Sequence, residues 1–292
     1  MIAIIGFLVV FGGVLGGYIE HGGVVGVLVQ PSEFMIIGGA AIGSILVSTP
    51  IPILKVMARR LTGIFTSKGI GKGGYLELLH ILFDVFQVGR KGGLMSLESH
   101  AEAPDKSEIF KKYPVFLKDH HAVEFLTDSL KVMISAGLPP MELEALMESD
   151  LETHHQESMM PINSLMKVAD SLPGLGIVAA VLGIVITMGA IDGGAAEIGR
   201  KVAAALVGTF LGVFLAYGVV QPLANNMENS VNREACYFRC MKSALVAFAK
   251  GASPLIAVEF ARRTIFSSDR PSWSEMEATV KGKKKTEMQV AA

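Results

Sequence analysis

Four long runs of apolar residues dominate the pattern along the chain: residues 1–19, 34–54, 171–191 and 202–223. None of them contains a charged residue, and each approaches or exceeds the roughly 20 residues that a helix needs to cross a bilayer. Backbone N–H and C=O groups in hydrocarbon must find partners within the protein, so an α-helix is the predicted form of each run. The segment Gly22–Val29 is too short and glycine-rich to span, and we interpret it as part of an interfacial loop.

The polar segment between the second and third runs is patterned as helices, without strand-like alternation. Apolar positions recur at helical spacing through residues 115–136, and Gly137 with Pro139 favours a helix end there. Residues 141–158, after Pro140, predict an acidic helix.

Further helices are predicted on either side of the last two runs. Pro161 can open a helix that leads toward the third run, and residues 224–250 continue the helical pattern up to Gly251. The tail from Ser267 onward is polar and is predicted to be disordered. The fold class is therefore an all-α integral membrane protein, with four transmembrane helices and a large helical cytoplasmic domain.

Lys and Arg are distributed unevenly around the four runs. There are 13 in residues 55–170 and 11 in residues 224–292, against none in residues 20–33 and two, Arg200 and Lys201, between the third and fourth runs. Because cytoplasmic segments are enriched in Lys and Arg, both termini and the long middle segment are predicted to be cytoplasmic. Arg200 and Lys201 oppose this orientation but are outnumbered.

The predicted organisation has four parts. Residues 1–54 hold transmembrane helices one and two with a short periplasmic loop, and residues 55–170 form a cytoplasmic helical domain. Residues 171–223 hold transmembrane helices three and four, and residues 224–292 form cytoplasmic helices and the tail. This arrangement places the protein in a membrane as a multi-pass chain.

Composition and charge narrow the functional classes. The chain is 51% apolar and 18% charged, unlike soluble domains, and its net charge of −1 gives no general attraction to nucleic acid. Cys236 and Cys240, the only cysteines, are too few for a zinc site or a disulfide framework. The two His–His pairs have adjacent members, which point to different helix faces. No nucleophile motif or phosphate loop is recognisable, so no metal, cofactor or enzyme activity is expected.

The four runs contain no Asp, Glu, Lys, Arg or His, although such residues are the usual marks of an ion pathway in a membrane. If protons cross here, another chain must supply the carboxylate. The polar residues of the third and fourth runs are Ser171, Thr187, Thr209, Tyr217 and Gln221. Hydroxyl groups can line a water-filled path, but they can equally hydrogen-bond to a carbonyl of the preceding helical turn.

Small residues recur at intervals of four along the runs, a spacing that lets membrane helices approach closely and predicts an oligomeric helical assembly. The pairs are Gly12/Gly16, Gly13/Gly17, Gly39/Gly43, Ala179/Gly183 and Gly208/Gly212.

Pro173 and Pro222 lie at the predicted cytoplasmic ends of the last two runs. Pro173 could occupy the first turn of a helix capped by Asp170 or Ser171, and Pro222 could end one. Alternatively, both helices run on into the cytoplasm, and each proline is a kink that frees carbonyl groups near an ion path. Periodicity alone does not separate these interpretations.

The segment from Gly89 to Glu98, GRKGGLMSLE, places opposite charges eight residues apart around a double glycine. On its physical chemistry alone it is a solvated helical bend.

Several segments together resemble the MotA/PomA family of flagellar stator A subunits over nearly the whole chain. They are MIAIIGFLVVFGGVLGGYIEHGG, GLMSLESHAEAPDKSEIFKKYP, EALMESDLETHHQES, DSLPGLGIVAAVLGIV, VGTFLGVFLAYGVVQPLA and PLIAVEFARRTIFSSDRPS. The resemblance implies that A subunits, five in number, form a ring around two MotB-type B subunits in the bacterial inner membrane. Each B subunit would contribute one span with an aspartate and a peptidoglycan-binding domain, which accounts for the missing carboxylate.

The resemblance also assigns roles to particular residues. Pro173 and Pro222 match the family's prolines at the inner end of the channel, and Thr209 is implied to face the ion path. With Ala180 and Tyr217 these are the ion-channel candidates. Arg90 and Glu98 match the cytoplasmic charges that engage the rotor protein FliG. The resemblance also implies Lys91 and Asp128 as part of that surface, on a weaker match.

Proton specificity and the alternatives follow from the same comparison. Sodium-driven members show Gly-Thr in the third span where this chain has Ala179-Ala180, and the loss of a hydroxyl ligand disfavours sodium. The expected function is torque generation driven by proton flow. An ExbB/TolQ-like energiser of outer-membrane processes is the alternative. Such proteins usually have three spans, so the extra N-terminal span and the segment from Arg90 to Glu98 count against it. A purely structural scaffold is a third possibility.

Overall fold

The computed structural model describes residues 2–66, 69–189, 194–280 and 282, and within these ranges the chain forms helices and no strand. The helices are α1 (Ile2–Glu20), α2 (Val25–Leu28), α3 (Pro31–Ser48), α4 (Ile51–Thr66), α5 (Lys72–Gly92), α6 (Glu98–Glu102), α7 (Pro114–Leu117), α8 (His120–Ser135), α9 (Pro140–Met188), α10 (Ala195–Phe214), α11 (Gln221–Ala249), α12 (Pro254–Thr264) and α13 (Trp273–Val280).

The chain divides into two compact units. The membrane unit comprises residues 1–68 and 158–230, and the polar unit comprises residues 69–157 and 231–292. Four helical segments are long and apolar enough to cross a bilayer: Ile2–Glu20, Val25–Ser48, Pro140–Met188 and Ala195–Ala249. The predicted all-α fold with four spans is therefore confirmed.

The second span begins earlier than the charge-free run suggested. Its main helix starts at Pro31 rather than Phe34 and ends at Ser48, and α4 begins as a separate helix at Ile51. Pro31 occupies the first helical turn, where its missing N–H costs nothing and its fixed φ suits the helix. The consequence is that Glu33, which the sequence pattern left in a loop, belongs to the span helix.

Pro173 lies inside a continuous helix, which decides between the two interpretations of this residue. Helix α9 runs for 49 residues from Pro140 to Met188, with Pro161 and Pro173 in its interior. The expectation that Pro161 opens a new helix is therefore wrong. A proline inside a helix leaves the carbonyl four residues earlier without its usual N–H partner. At Pro173 this is the carbonyl of Ala169.

Pro222 also lies within a helical run rather than at a helix end. The segment Leu215–Val220 adopts π-helix and joins α10 to α11 without a break. A proline ring clashes with the carbonyl four residues earlier, here that of Gly218. The wider π turn directly before Pro222 relieves this clash and lets the helix continue.

The polar unit has its own hydrophobic core, built from α5, α8 and α11 with contributions from α12 and α13. The rings of Phe86 and Phe248 stack at 4.5 Å in its centre. The predicted helix over residues 115–136 is in fact two, because the Asp119 carboxylate accepts a hydrogen bond from the Ala122 N–H and caps a new helix. Gly251 ends α11 as predicted, with φ of +88° and backbone hydrogen bonds of the Schellman type.

The prediction of a disordered tail from Ser267 is wrong for residues 267–280. Helix α13 begins after Ser272, whose hydroxyl accepts a hydrogen bond from the Glu275 N–H while the Glu275 carboxylate accepts one from the Ser272 N–H. This reciprocal pair is a capping box. Met276 and Val280 are buried on the polar unit's core. For residues 281 and 283–292 the same prediction lies outside the described residues.

We expect Ser272→Ala to loosen α13 by about 1 kcal/mol, since one N-terminal N–H loses its acceptor. Hydrogen exchange of amides 273–280 should accelerate, whereas Ser268→Ala, a control in the preceding turn, should leave it unchanged. Equal exchange in both variants would contradict the capping role.

The same contact is sensitive to acid. The pKa of Glu275 is held below its usual value, first by the hydrogen bond from the Lys72 ammonium and then by the Ser272 N–H. Because the folded pKa is lowered, this stabilisation is present above the usual glutamate pKa of about 4.3 and is lost as the pH falls through the lowered value. The protection of amides 273–280 against hydrogen exchange in the wild type should therefore fall as the pH drops through the lowered pKa of Glu275.

Candidate functional site

The site is organised by a seam of small residues between α9 and α10. A Cβ added to Gly176 would lie 2.7 Å from the Gly208 carbonyl oxygen and 3.0 Å from the Gly212 Cα. At the other end of the seam, a Cβ on Gly183 would lie 2.7 Å from the Ala205 Cβ. The pairing of Gly176 with Gly212 and of Gly183 with Ala205 shows that the two spans run antiparallel.

The seam accounts for two of the five small-residue pairs in the sequence. The pairs Ala179/Gly183 and Gly208/Gly212 are in backbone contact, which is the close approach that such residues allow in hydrocarbon. The glycines of the first and second spans have open space at the Cβ position within this chain: Gly12, Gly13, Gly16, Gly17, Gly39 and Gly43. They are thus on outward faces of the membrane unit.

Ala180 packs against Gly208 at the middle of the seam. The Ala180 backbone nitrogen is 3.1 Å from the position of a Cβ on Gly208, and Thr209 is the next residue along α10. Thr187 and Ser171 donate their hydroxyls to the carbonyls of Gly183 and Val168, as the simpler interpretation of these residues predicted.

Thr209 differs from those two hydroxyl residues. Its half-buried side chain makes no hydrogen bond to any part of the chain that the structure describes. Its hydroxyl is therefore available to hydrogen-bond to a ligand or to water in an ion path.

Pro173 and Pro222 lie at one end of the seam. This is the end where the third span begins and the fourth span finishes. The carbonyl oxygen of Leu172, directly before Pro173, lies 2.5 Å from the position of a Cβ on Gly212. On the other side, Tyr217 is 60% exposed on the π-helical segment, and Pro222 is exposed just beyond it. Helix α1 packs here, with the rings of Phe11 and Phe214 edge to face at 5.0 Å.

Glu33 is a buried ionisable side chain that lies just outside the charge-free runs but inside a helix of the membrane unit. It is 5% exposed, and its Oε2 atom lies 2.5 Å from the position of a Cβ on Gly208. The charge-free runs themselves hold no carboxyl group, but Glu33 belongs to the same helix as the second run. Pro31, a common first residue of a helix, was the signal that could have placed Glu33 inside the span.

The segment from Arg90 to Glu98 forms a fixed bend in the polar unit. Arg90 and Lys91 are exposed in the last turn of α5, and Glu98 is exposed at the start of α6. Gly93, with φ of +79°, provides the turn between them in a conformation that favours glycine.

Buried contacts hold this bend in place. The Leu97 side chain is fully buried, 3.0 Å from the position of a Cβ on Gly89, and the Ser96 hydroxyl donates to the Val88 and Gly93 carbonyls. The charges are thus presented on a rigid scaffold rather than a loose loop. Asp128, exposed on α8, is ion-paired with Lys131 at 2.8 Å.

A second polar cluster brings together one member of each histidine pair. The rings of His121 and His154 are 5.6 Å apart and edge to face, and Asp128 and Asp150 line the same small cavity of about 180 Å³. Among the described residues, no group of three His, Cys, Asp or Glu side chains is arranged to hold a metal ion. Burial raises the pKa of the Cys240 thiol, which is a core group.

An antiparallel pair of spans in backbone contact, within a set of four apolar helices, defines a helical multi-span membrane protein. Two family models match the chain: the motility protein A N-terminal region at residues 4–93 and the MotA/TolQ/ExbB proton channel family at residues 118–239. The chain belongs to the motility protein A family, the A subunits of flagellar stators.

Relatives with this assignment cover almost the whole chain. Motility protein A of Escherichia coli is 42% identical over 99% of this chain and 98% of its own length. Chemotaxis protein LafT of Vibrio parahaemolyticus is 40% identical over 94% of this chain and 96% of its own. The match at residues 4–93 also counts against the ExbB/TolQ-like alternative. It covers the extra N-terminal span, which that alternative does not explain.

Solved structures share the fold. The Campylobacter jejuni MotAB structure matches with a TM-score of 0.75 at 20% identity, covering 92% of this chain and 97% of that one. The flagellar MotAB stator complex of Bacillus subtilis matches with a TM-score of 0.73, also at 20% identity, over 92% and 98%.

Proposed function

We propose that the seam of α9 and α10 is one wall of a proton path, which a B subunit completes with an intramembrane carboxylate. The observation that supports this most is the junction of Ala180, Gly208 and Thr209, where two backbones touch beside an unengaged hydroxyl. Thr209 follows Gly208 by one residue, so its side chain is turned by about 100° from the seam. A partner helix lying against that face would place its carboxylate near Thr209.

Protons rather than sodium ions are the proposed cargo. Ala180 offers no side-chain oxygen at the centre of the seam, and a hard cation needs several oxygens to replace its water. A proton needs only a carboxylate and water. No cofactor takes part in this function, and we do not expect the chain to be an enzyme.

The assembly is proposed to be a ring of five A subunits around two MotB-type B subunits. The outward glycines of the first and second spans support close contact with further helices, since small residues let membrane helices approach. The two matched structures are MotAB complexes, which supports a B partner for this chain as well.

The proposed location is the bacterial inner membrane, with both termini and the polar unit in the cytoplasm. The excess of Lys and Arg in residues 55–170 and 224–292 supports this orientation. Lys201, which opposes it, is ion-paired with Glu197 at 3.3 Å, so its charge is offset locally.

Torque is proposed to pass to the rotor protein FliG through Arg90 and Glu98, with Lys91 beside them. Proton binding to the partner carboxylate would change its contacts with the Pro173 and Thr209 region and turn the A ring around the B pair. The driving force supplies about 2.3 kcal/mol per charge per 100 mV. This is comparable to the few kcal/mol that separate alternative packings of a protein.

Pro173→Ala and Pro222→Ala test this function. Each restores an N–H donor near the path, so we expect normal amounts of the A–B complex in membranes but strongly reduced proton uptake and swimming. Pro161→Ala, in the same helix as Pro173 but away from the seam, is the matched control and should conduct. If the Pro173 and Pro222 variants lowered only protein abundance, the chain would be a scaffold instead.

A further inference from the structure

Glu33 has no role in the path described so far, yet it is buried beside the seam at Gly208. It lies in the first turn of α3, and Ile37 and Ala41 follow at intervals of four on the same buried face. This face packs against α10. Glu33 is therefore directed into the protein rather than toward lipid or the loop.

The surroundings of the carboxyl group are apolar and closely packed. A Cβ built on Gly208 would lie 2.5 Å from Glu33 Oε2, 3.1 Å from the Ala179 Cβ and 3.1 Å from the Ala180 nitrogen. Oε2 itself is out of contact with solvent and has no hydrogen-bond partner. The glycine is what makes room for the carboxyl group, since any side chain at residue 208 would occupy its space.

Helix capping alone does not account for this placement. An acidic residue in the first turn interacts favourably with the helix dipole, but an exposed side chain there does so equally well. Burial of an ionised carboxylate without a hydrogen bond or counter-ion is strongly disfavoured in an apolar interior, whereas a neutral carboxylic acid is tolerated far better. Ionisable residues inside membrane spans are costly and mark ion pathways.

We propose that Glu33 is a proton-binding site contributed by this chain, which takes up and releases a proton beside the seam of α9 and α10. One proton from water adds to a carboxylate oxygen, and the neutral acid then occupies the apolar position at Gly208. Release reverses the same step, so the group is unchanged over a cycle. Glu33 Oε2 lies at Gly208, and Thr209 is the next residue along α10, so Glu33 is one residue away from the proposed path.

This inference rests on the proposed proton path, but it can be tested separately by infrared spectroscopy of the A–B complex in membranes. A neutral carboxylic acid has a C=O stretching band distinct from that of a carboxylate. We expect such a band in wild type, its loss in Glu33→Gln, and its shift to lower frequency in D2O. A spectrum unchanged by Glu33→Gln, or a band that does not shift in D2O, would overturn the proposal.

Swimming gives the second readout. Glutamine keeps the shape of the side chain but cannot bind and release a proton, so Glu33→Gln should lose most of the swimming speed at unchanged complex abundance, with partial rescue by Glu33→Asp. Glu20→Gln, an exposed carboxyl at the end of α1, is the control. Full speed in Glu33→Gln would refute the proton-binding role and leave the stator assignment intact, because the motor would still turn.

Discussion

Replacing Gly212 with alanine should stop swimming. The new Cβ would lie 2.5 Å from the Leu172 carbonyl oxygen and 2.8 Å from the Gly176 Cα. Both are backbone atoms, so no side-chain rotation can make room, and α9 and α10 must separate. Overpacking of this kind costs about 1–3 kcal/mol, and here it also displaces the helix that carries Thr209 from the one that carries Pro173.

The matched control is Gly199→Ala, because Gly199 lies on the same helix and has open space at its Cβ position. Membrane abundance of the A–B complex should be measured beside swimming speed in both variants. If Gly212→Ala swims at wild-type speed, the seam is not the close contact that we describe.

Reversing the two exposed charges of the bend, with Arg90→Glu and Glu98→Lys together, should abolish swimming but not proton uptake. Both side chains are exposed, so the substitutions change charge without disturbing the core. A rotor surface with complementary charge would be repelled at both positions.

A reversed pair elsewhere on the polar unit serves as the control. Glu108 and Lys111 form an exposed ion pair at 3.2 Å, and Glu108→Lys with Lys111→Glu preserves the attraction between them. This variant should swim. Normal swimming by the Arg90/Glu98 variant would show that torque passes through other residues.

Sequence patterns predicted the spans because bilayer insertion depends on local composition. Four charge-free runs identified four membrane helices, and small residues at intervals of four identified both sides of the seam. The pairing of Gly176 with Gly212 could not be predicted, because it depends on the antiparallel register of two helices distant in sequence.

Boundaries were less predictable than spans, and each error has a local cause. The charge of Glu33 keeps it outside the second charge-free run, although Pro31 indicates the earlier helix start. The polarity of the tail after Ser267 favours disorder. Ser272 and Glu275 nevertheless form a capping box, and the buried Met276 and Val280 anchor the helix that it begins.

The prolines show what periodicity leaves undecided. Pro173 suits a first helical turn and a helix interior equally well in sequence. Whether Pro173 begins a helix or lies within one depends on whether the residues before it are helical. They are, because α9 is helical from Pro140, so Pro173 lies within the helix.

The most direct test of a proton-driven stator is the swimming speed of cells in which this chain and its B subunit are the sole stator, measured while sodium and proton gradients are varied independently. Removing sodium at a constant proton gradient should leave the speed unchanged, and collapsing the proton gradient at constant sodium should stop the cells. Speed that follows sodium, or persists without a proton gradient, would contradict a proton path along Ala180 and Thr209.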